Sequence, residues 1–171
     1  MKLKQYRYVG PLDIKLHALR GIDCKPIYNR ENLLKRLTKL GFMFQQNYSL
    51  VVTFVINEAG LLKIADRHSE HVACASGQNV LSAGEMTFGY ERKNCFIENI
   101  TNQSTGYCPE PNSWPAVQSA LDQIGIVHPV YFEPAFCFRR CTNCEQTNLV
   151  KDGWFVCAVC ETELSKSWNY D

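Results

Sequence analysis

Four cysteines near the C-terminus carry the strongest chemical signal in the chain. Cys141 and Cys144 form one C-x-x-C knuckle, and Cys157 and Cys160 form a second. Zinc takes four ligands in a tetrahedron, with sulfur about 2.3 Å from the ion. Two cysteines separated by two residues converge on one ion where the chain turns tightly between them. A second such turn must then arrive from a neighbouring hairpin. Residues 145–156 have the makings of it: Leu149 and Val150, a Lys151-Asp152-Gly153 turn, then Trp154, Phe155 and Val156. One zinc ion held by all four thiolates has no open position, which points to a structural role. Two disulfides or a redox pair are the other uses of such spacing. This is the zinc-ribbon pattern. Ribbons touch nucleic acid or protein, and Arg139, Arg140 and Lys151 lie close by.

A second group of reactive side chains lies mid-chain. Residues 66–71 hold His68 and His71 with two acids and an arginine, and Glu85 interrupts an apolar run. Residues 102–111 add Ser104, Tyr107 and Glu110. If the loops around them share a rim, His68, Glu85 and Tyr107 form a candidate catalytic set. Histidine moves protons near neutral pH, and a carboxylate can orient a substrate hydroxyl. The plainer alternatives are histidines bonded to backbone, a glutamate facing solvent and a tyrosine packed in the core. A second metal at His68 and His71 lacks a third ligand set by spacing.

The elements that must position these groups follow from periodicity. Asn29 reads as the cap of a helix with Leu33, Leu34, Leu37 and Leu40 on one face. Lys35, Arg36 and Lys39 take the other face, and Gly41 ends it. Residues 50–56 are continuously apolar and β-branched, as in a strand covered on both faces. Residues 61–65, 71–75, 80–88 and 95–101 continue as strands, giving a meander of about five. Ser113 caps a second helix with Val117, Ala120, Leu121 and Ile124 inward and Gly125 at its end. Residues 127–138, broken by Pro129 and Pro134, return as one or two short strands, and Trp168 packs the tail. The expected fold class is α+β: an antiparallel β-meander with two or three helices and a C-terminal zinc ribbon. The division is an α+β domain at 1–136 and the ribbon at 137–171.

Composition bounds the rest. An apolar fraction of 46% suffices for a core, and 18 basic against 17 acidic residues give a net charge of +1. Bulk charge alone therefore does not capture a phosphate backbone, though a local patch can. No apolar run reaches membrane-spanning length, and the N-terminal residues are basic and polar, unlike a signal peptide. The remaining cysteines (Cys24, Cys74, Cys95, Cys108 and Cys137) are odd in number and irregular in spacing, as buried thiols of a reducing compartment are. The expected location is cytoplasmic.

His68-Ser69, then Ala83-Gly84-Glu85, then the run Asn102-Gln103-Ser104-Thr105-Gly106-Tyr107-Cys108-Pro109 resemble a pattern in plant IQ-motif calmodulin-binding proteins and bacterial polymorphic-toxin tails. There an His-Ser start precedes an Ala-Gly-Glu-like strand and a Ser-Gly-His-Tyr-x-Pro loop. Thr105-Gly106 replaces Gly-His here, so no role for a loop histidine carries over. The resemblance implies a β-rich domain with a polar loop, of a kind found in bacterial conflict systems. Calmodulin binding is not implied, since no IQ motif is present. Three functions follow as expectations. The first is a cytoplasmic macromolecule-binding or regulatory module with one structural zinc and a nucleic-acid or protein partner. The second is a toxin-like enzyme on a nucleotide-type substrate such as NAD, through a His68/Glu85/Tyr107 rim; a histidine followed by a tyrosine and then a glutamate is similar to the order in ADP-ribosyltransferases. The third is an immunity-type protein partner.

Overall fold

Strand β1 (Leu50–Asn57) is the axis of the structure, a computed structural model that describes residues 3–20 and 24–170. It pairs antiparallel with β2 (Leu62–Asp66) on one side and with β3 (Val80–Glu91) on the other. Strand β4 (Asn94–Thr101) closes the sheet in the order β2-β1-β3-β4. The α+β class with an antiparallel sheet holds. Alternate side chains explain why β1 is apolar throughout. Val52, Phe54 and Ile56 enter one core with Leu33, Leu37, Met86, Phe88 and Ile100. Val55 enters a second core with Tyr6, Val72, Ala83 and Tyr107.

The first core is roofed by two helices, α2 (Arg30–Lys39) and α4 (Trp114–Ile124). Asn29 caps α2 as expected: its side chain accepts from the Asn32 N–H at 2.9 Å. Ser113 does not cap α4 with its side chain. It is buried, and its hydroxyl pairs with that of Ser82 at 2.9 Å, while the chain enters the helix through a 3-10 turn at Pro111–Ser113. The second core is covered by the N-terminal segment, where Tyr6 bridges to Val80, and by α3 (His71–Cys74). Helix α1 (Leu12–Ala18) lies outside, with no buried residue.

Residues 71–75, expected as a strand, are this α3 turn, so the sheet has four strands rather than five. Val72, Ala73 and Cys74 are all buried; an apolar run this short fits a buried helical turn as well as a strand. Residues 127–136 are not a strand either. They run along β4 with two backbone bonds, Ile97 N–H to Val127 and Glu133 N–H to Ile100, before β5 (Cys137–Arg140) begins.

Strand β5 pairs with β6 (Thr147–Val150) in a separate two-stranded ribbon. The Lys151-Asp152-Gly153 turn forms as the sequence indicates. Asp152 and Gly153 both have positive φ, and the Trp154 N–H closes it on the Lys151 carbonyl at 2.9 Å. The arm then returns through a Val156–Glu163 bridge. Cys108, Phe138 and Tyr170, with Trp168 beside them, seat the ribbon on the body. Trp168 packs the tail as expected, edge-on to Tyr6 with its indole N–H on the Cys108 carbonyl at 2.8 Å.

Candidate metal centre and the surfaces around it

The two knuckles are built alike. In each, the N–H of the residue after the second cysteine returns to the carbonyl of the first: Glu145 to Cys141 and Glu161 to Cys157, both at 3.0 Å. Both glutamates sit in the left-handed region, at φ 62 and 59. In each the N–H of the first cysteine also reaches forward, Cys141 to Gln146 and Cys157 to Thr162. The same turn, made twice, aims two pairs of thiols at one point.

All four sulfurs lie within 4.8 Å of one another. Cys141 and Cys160 are 3.5 Å apart, and Cys144 and Cys157 are 3.6 Å apart. A tetrahedron of sulfurs about 2.3 Å from a central ion has edges of about 3.8 Å, so the four cysteines lie close enough to hold one metal ion. Donors around the second knuckle favour the charged form that a metal needs. Cys157 is held below its ordinary range chiefly by the Cys160 N–H, then by the Val159 N–H and the Asn148 amide. Cys160 is brought down to about 5, chiefly by the Thr162 and Asn143 side chains. Asn148 also accepts from the Ala158 N–H at 2.9 Å, so a buried side chain orients the second knuckle. Sequence spacing pointed to the four clustered cysteines but not to this supporting residue.

The three basic residues near the ribbon do not form one surface. Arg139 is buried; it donates to the carbonyls of Ser165, Phe138 and Lys166 and pairs with Glu110 at 3.2 Å. Arg140 is exposed and pairs with Glu145 at 3.5 Å. Lys151 lies beside Leu149, Trp154 and Val156 on the outer face, where Trp154 is 71% exposed.

The mid-chain candidates sit in three different settings. His68 is exposed, in a turn where its N–H bonds the Asp66 carboxylate at 2.9 Å. Glu85 lies on β3, half-buried, with Arg67 at 3.9 Å. Tyr107 is fully buried and donates to the Gln78 carbonyl at 2.7 Å; burial raises its pKa. His71 faces the Gly84 carbonyl with Nε2 at 3.0 Å, and burial pushes its pKa down to about 4. The Ala83-Gly84-Glu85 run has a steric reason. A Cβ at Gly84 would lie 1.9 Å from the Thr101 carbonyl oxygen of β4.

The polar loop at residues 102–110 is a junction. Asn102 is fully buried; its amide donates to Pro109 at 2.8 Å and to Phe136 at 2.7 Å and accepts from the Phe136 N–H at 2.7 Å. Glu110 pairs with both Lys4 and Arg139. The loop thus ties together the N-terminal segment, the sheet, the ribbon and the tail.

A basic surface lies elsewhere. Between residues 24 and 41, Lys25, Arg30, Lys35, Arg36 and Lys39 face one acid, Glu31, in a chain whose net charge is only +1. Lys25, Lys35, Arg36 and Lys39 line a groove of about 470 Å³ between α2 and the segment that bridges to β2 at Ile27–Leu62. Tyr28, 56% exposed, and Asn32 complete it. The sequence showed the basic helix face but not the wall that turns it into a groove.

No helix among the described residues is long and apolar enough to cross a membrane. No protein-family model matches the chain, and no curated protein or solved structure matches it either.

Proposed function

We propose that the chain is a binding module for single-stranded nucleic acid, with a zinc ribbon that serves structure. The observation that carries this reading is the groove beside α2. Four cationic side chains and an exposed tyrosine share one concavity of about 470 Å³, within the size range of ligand sites. Lysine and arginine attract phosphates, and an aromatic face stacks a base of any identity. The ion is zinc, because four thiolates in a tetrahedral set suit it and leave no site for substrate. The ribbon, held to the body through Arg139 and Trp168, stabilises the fold rather than reading the strand.

The test is fluorescence anisotropy of labelled single-stranded RNA and DNA across a salt series. The wild type binds, and affinity falls with salt. Lys35→Glu with Lys39→Glu weakens binding about tenfold or more and reduces the salt slope by about two, with melting unchanged. No binding at low salt, or equal binding by the double variant, overturns the reading.

A second reading, an enzyme acting on a nucleotide such as NAD, is favoured by one observation: Arg67, the chain neighbour of His68, pairs with Glu85 at 3.9 Å. It predicts a thermal shift with NAD that His68→Ala abolishes. No shift with NAD overturns it.

A further inference from the structure

A pair of thiols lies buried between α2, β2 and α3, apart from the metal cluster. Cys24 Sγ and Cys74 Sγ are 3.3 Å apart, and both residues are buried. Cys24 comes just before the segment that bridges to β2, and Cys74 sits on α3. Cys24 Sγ also contacts the Ile64 carbonyl oxygen at 3.1 Å, which accepts from Arg36 Nε of α2 at 3.1 Å. Lys63 of β2 approaches from the same side; it is 7% exposed and donates to the Ser76 hydroxyl at 3.0 Å. Among the described residues no carboxylate pairs with Lys63. A buried ammonium without a carboxylate is costly unless another group takes up negative charge. The nearby thiol pair can do so.

The two thiols differ in kind. Cys24 is lowered to about 7, chiefly by the hydrogen bond from Cys74, with Arg36 and Lys63 acting in the same direction. Cys74 is raised well above the ordinary range, chiefly because it supplies that bond. One is the nucleophile, and the other stays protonated until its turn.

We propose that Cys24 and Cys74 form a dithiol site oxidised by a small peroxide. The Cys24 thiolate attacks a peroxide oxygen and the O–O bond breaks. With hydrogen peroxide, Cys24 becomes a sulfenic acid and the departing hydroxide takes a proton to leave as water. Cys74 sulfur then attacks the Cys24 sulfur, the S–O bond breaks, and the hydroxyl leaves as a second water with the Cys74 proton. Two thiols are oxidised to one disulfide, and one peroxide is reduced to two waters.

The experiment treats the zinc-loaded full chain with equimolar hydrogen peroxide, then unfolds it, alkylates the remaining thiols and maps the peptides by mass spectrometry. The expected product is a Cys24–Cys74 cross-link, with Cys95 and Cys108 fully alkylated and zinc retained. Cys74→Ser stops at a Cys24 sulfenic acid that dimedone captures. Lys63→Met slows Cys24 oxidation about threefold or more near about pH 6, where the cation matters most for thiolate formation. The cross-link in the wild type is decisive even if either variant folds poorly. Oxidation that falls first on the four ribbon cysteines and releases zinc, or Cys24 reacting no faster than Cys95, overturns the proposal.

Discussion

The cysteine cage and the loop at residues 102–110 look equally rich in chemistry, yet they are assembled in opposite ways. The cage draws every ligand from residues 141–160, and each knuckle closes on itself through bonds four residues long. The loop reaches far along the chain instead. Asn102 bonds Phe136, Glu110 bonds Lys4, and Cys108 accepts from Trp168. The cage concentrates four thiols on one point, as a metal requires. The loop turns Asn102, Tyr107 and Glu110 onto partners within the chain. Density of polar residues is therefore no sign of a site; what matters is whether the groups are already spent.

That contrast can be broken most sharply at Cys144. Cys144→Ser should release the metal and remove much of the stability of the ribbon, since a structural metal contributes folding free energy. Metal analysis alongside a melting curve checks it; unchanged zinc content and unchanged melting would refute the cage. Asn102→Ala should come next. It leaves the Phe136 N–H and two carbonyls without a partner in the interior, at a cost of about 3 kcal/mol by denaturant unfolding, with metal content unchanged. Stability within 1 kcal/mol of wild type, on the order of a single surface contact, would remove the junction role.

These two expectations also mark what the sequence makes legible. The cysteine cluster was readable because knuckle spacing is a local property. Helix α2 and strands β1 to β4 were readable because apolar period and caps are local too. The role of Asn102 was not, since its partner Phe136 is fixed only by tertiary packing. Residues 71–75 misled because four or five apolar residues do not distinguish a strand from a turn of helix. The groove was half legible: the lysines of α2 stand in the sequence, but Lys25 and Tyr28 join them only once residue 27 bridges to β2.

Smaller effects sharpen the comparison. Tyr107→Phe removes a buried bond to Gln78 and should cost about 1 kcal/mol. Glu85→Ala breaks only a long, partly exposed contact to Arg67 and should leave melting nearly intact. A larger loss for Glu85→Ala than for Tyr107→Phe in thermal unfolding would reverse that ranking. Smallest of all, Glu161→Gly relieves a left-handed backbone in the second knuckle and should stabilise the holo protein by less than about 1 kcal/mol. A clear loss of stability would show that the Glu161 side chain matters to the knuckle.

The most direct test of the central claim is X-ray absorption at the zinc edge of the purified, zinc-loaded chain. A closed cage predicts four sulfur neighbours at about 2.3 Å and no lighter atom in the inner shell. An oxygen or nitrogen neighbour, or fewer than four sulfurs, would contradict a structural centre built from Cys141, Cys144, Cys157 and Cys160.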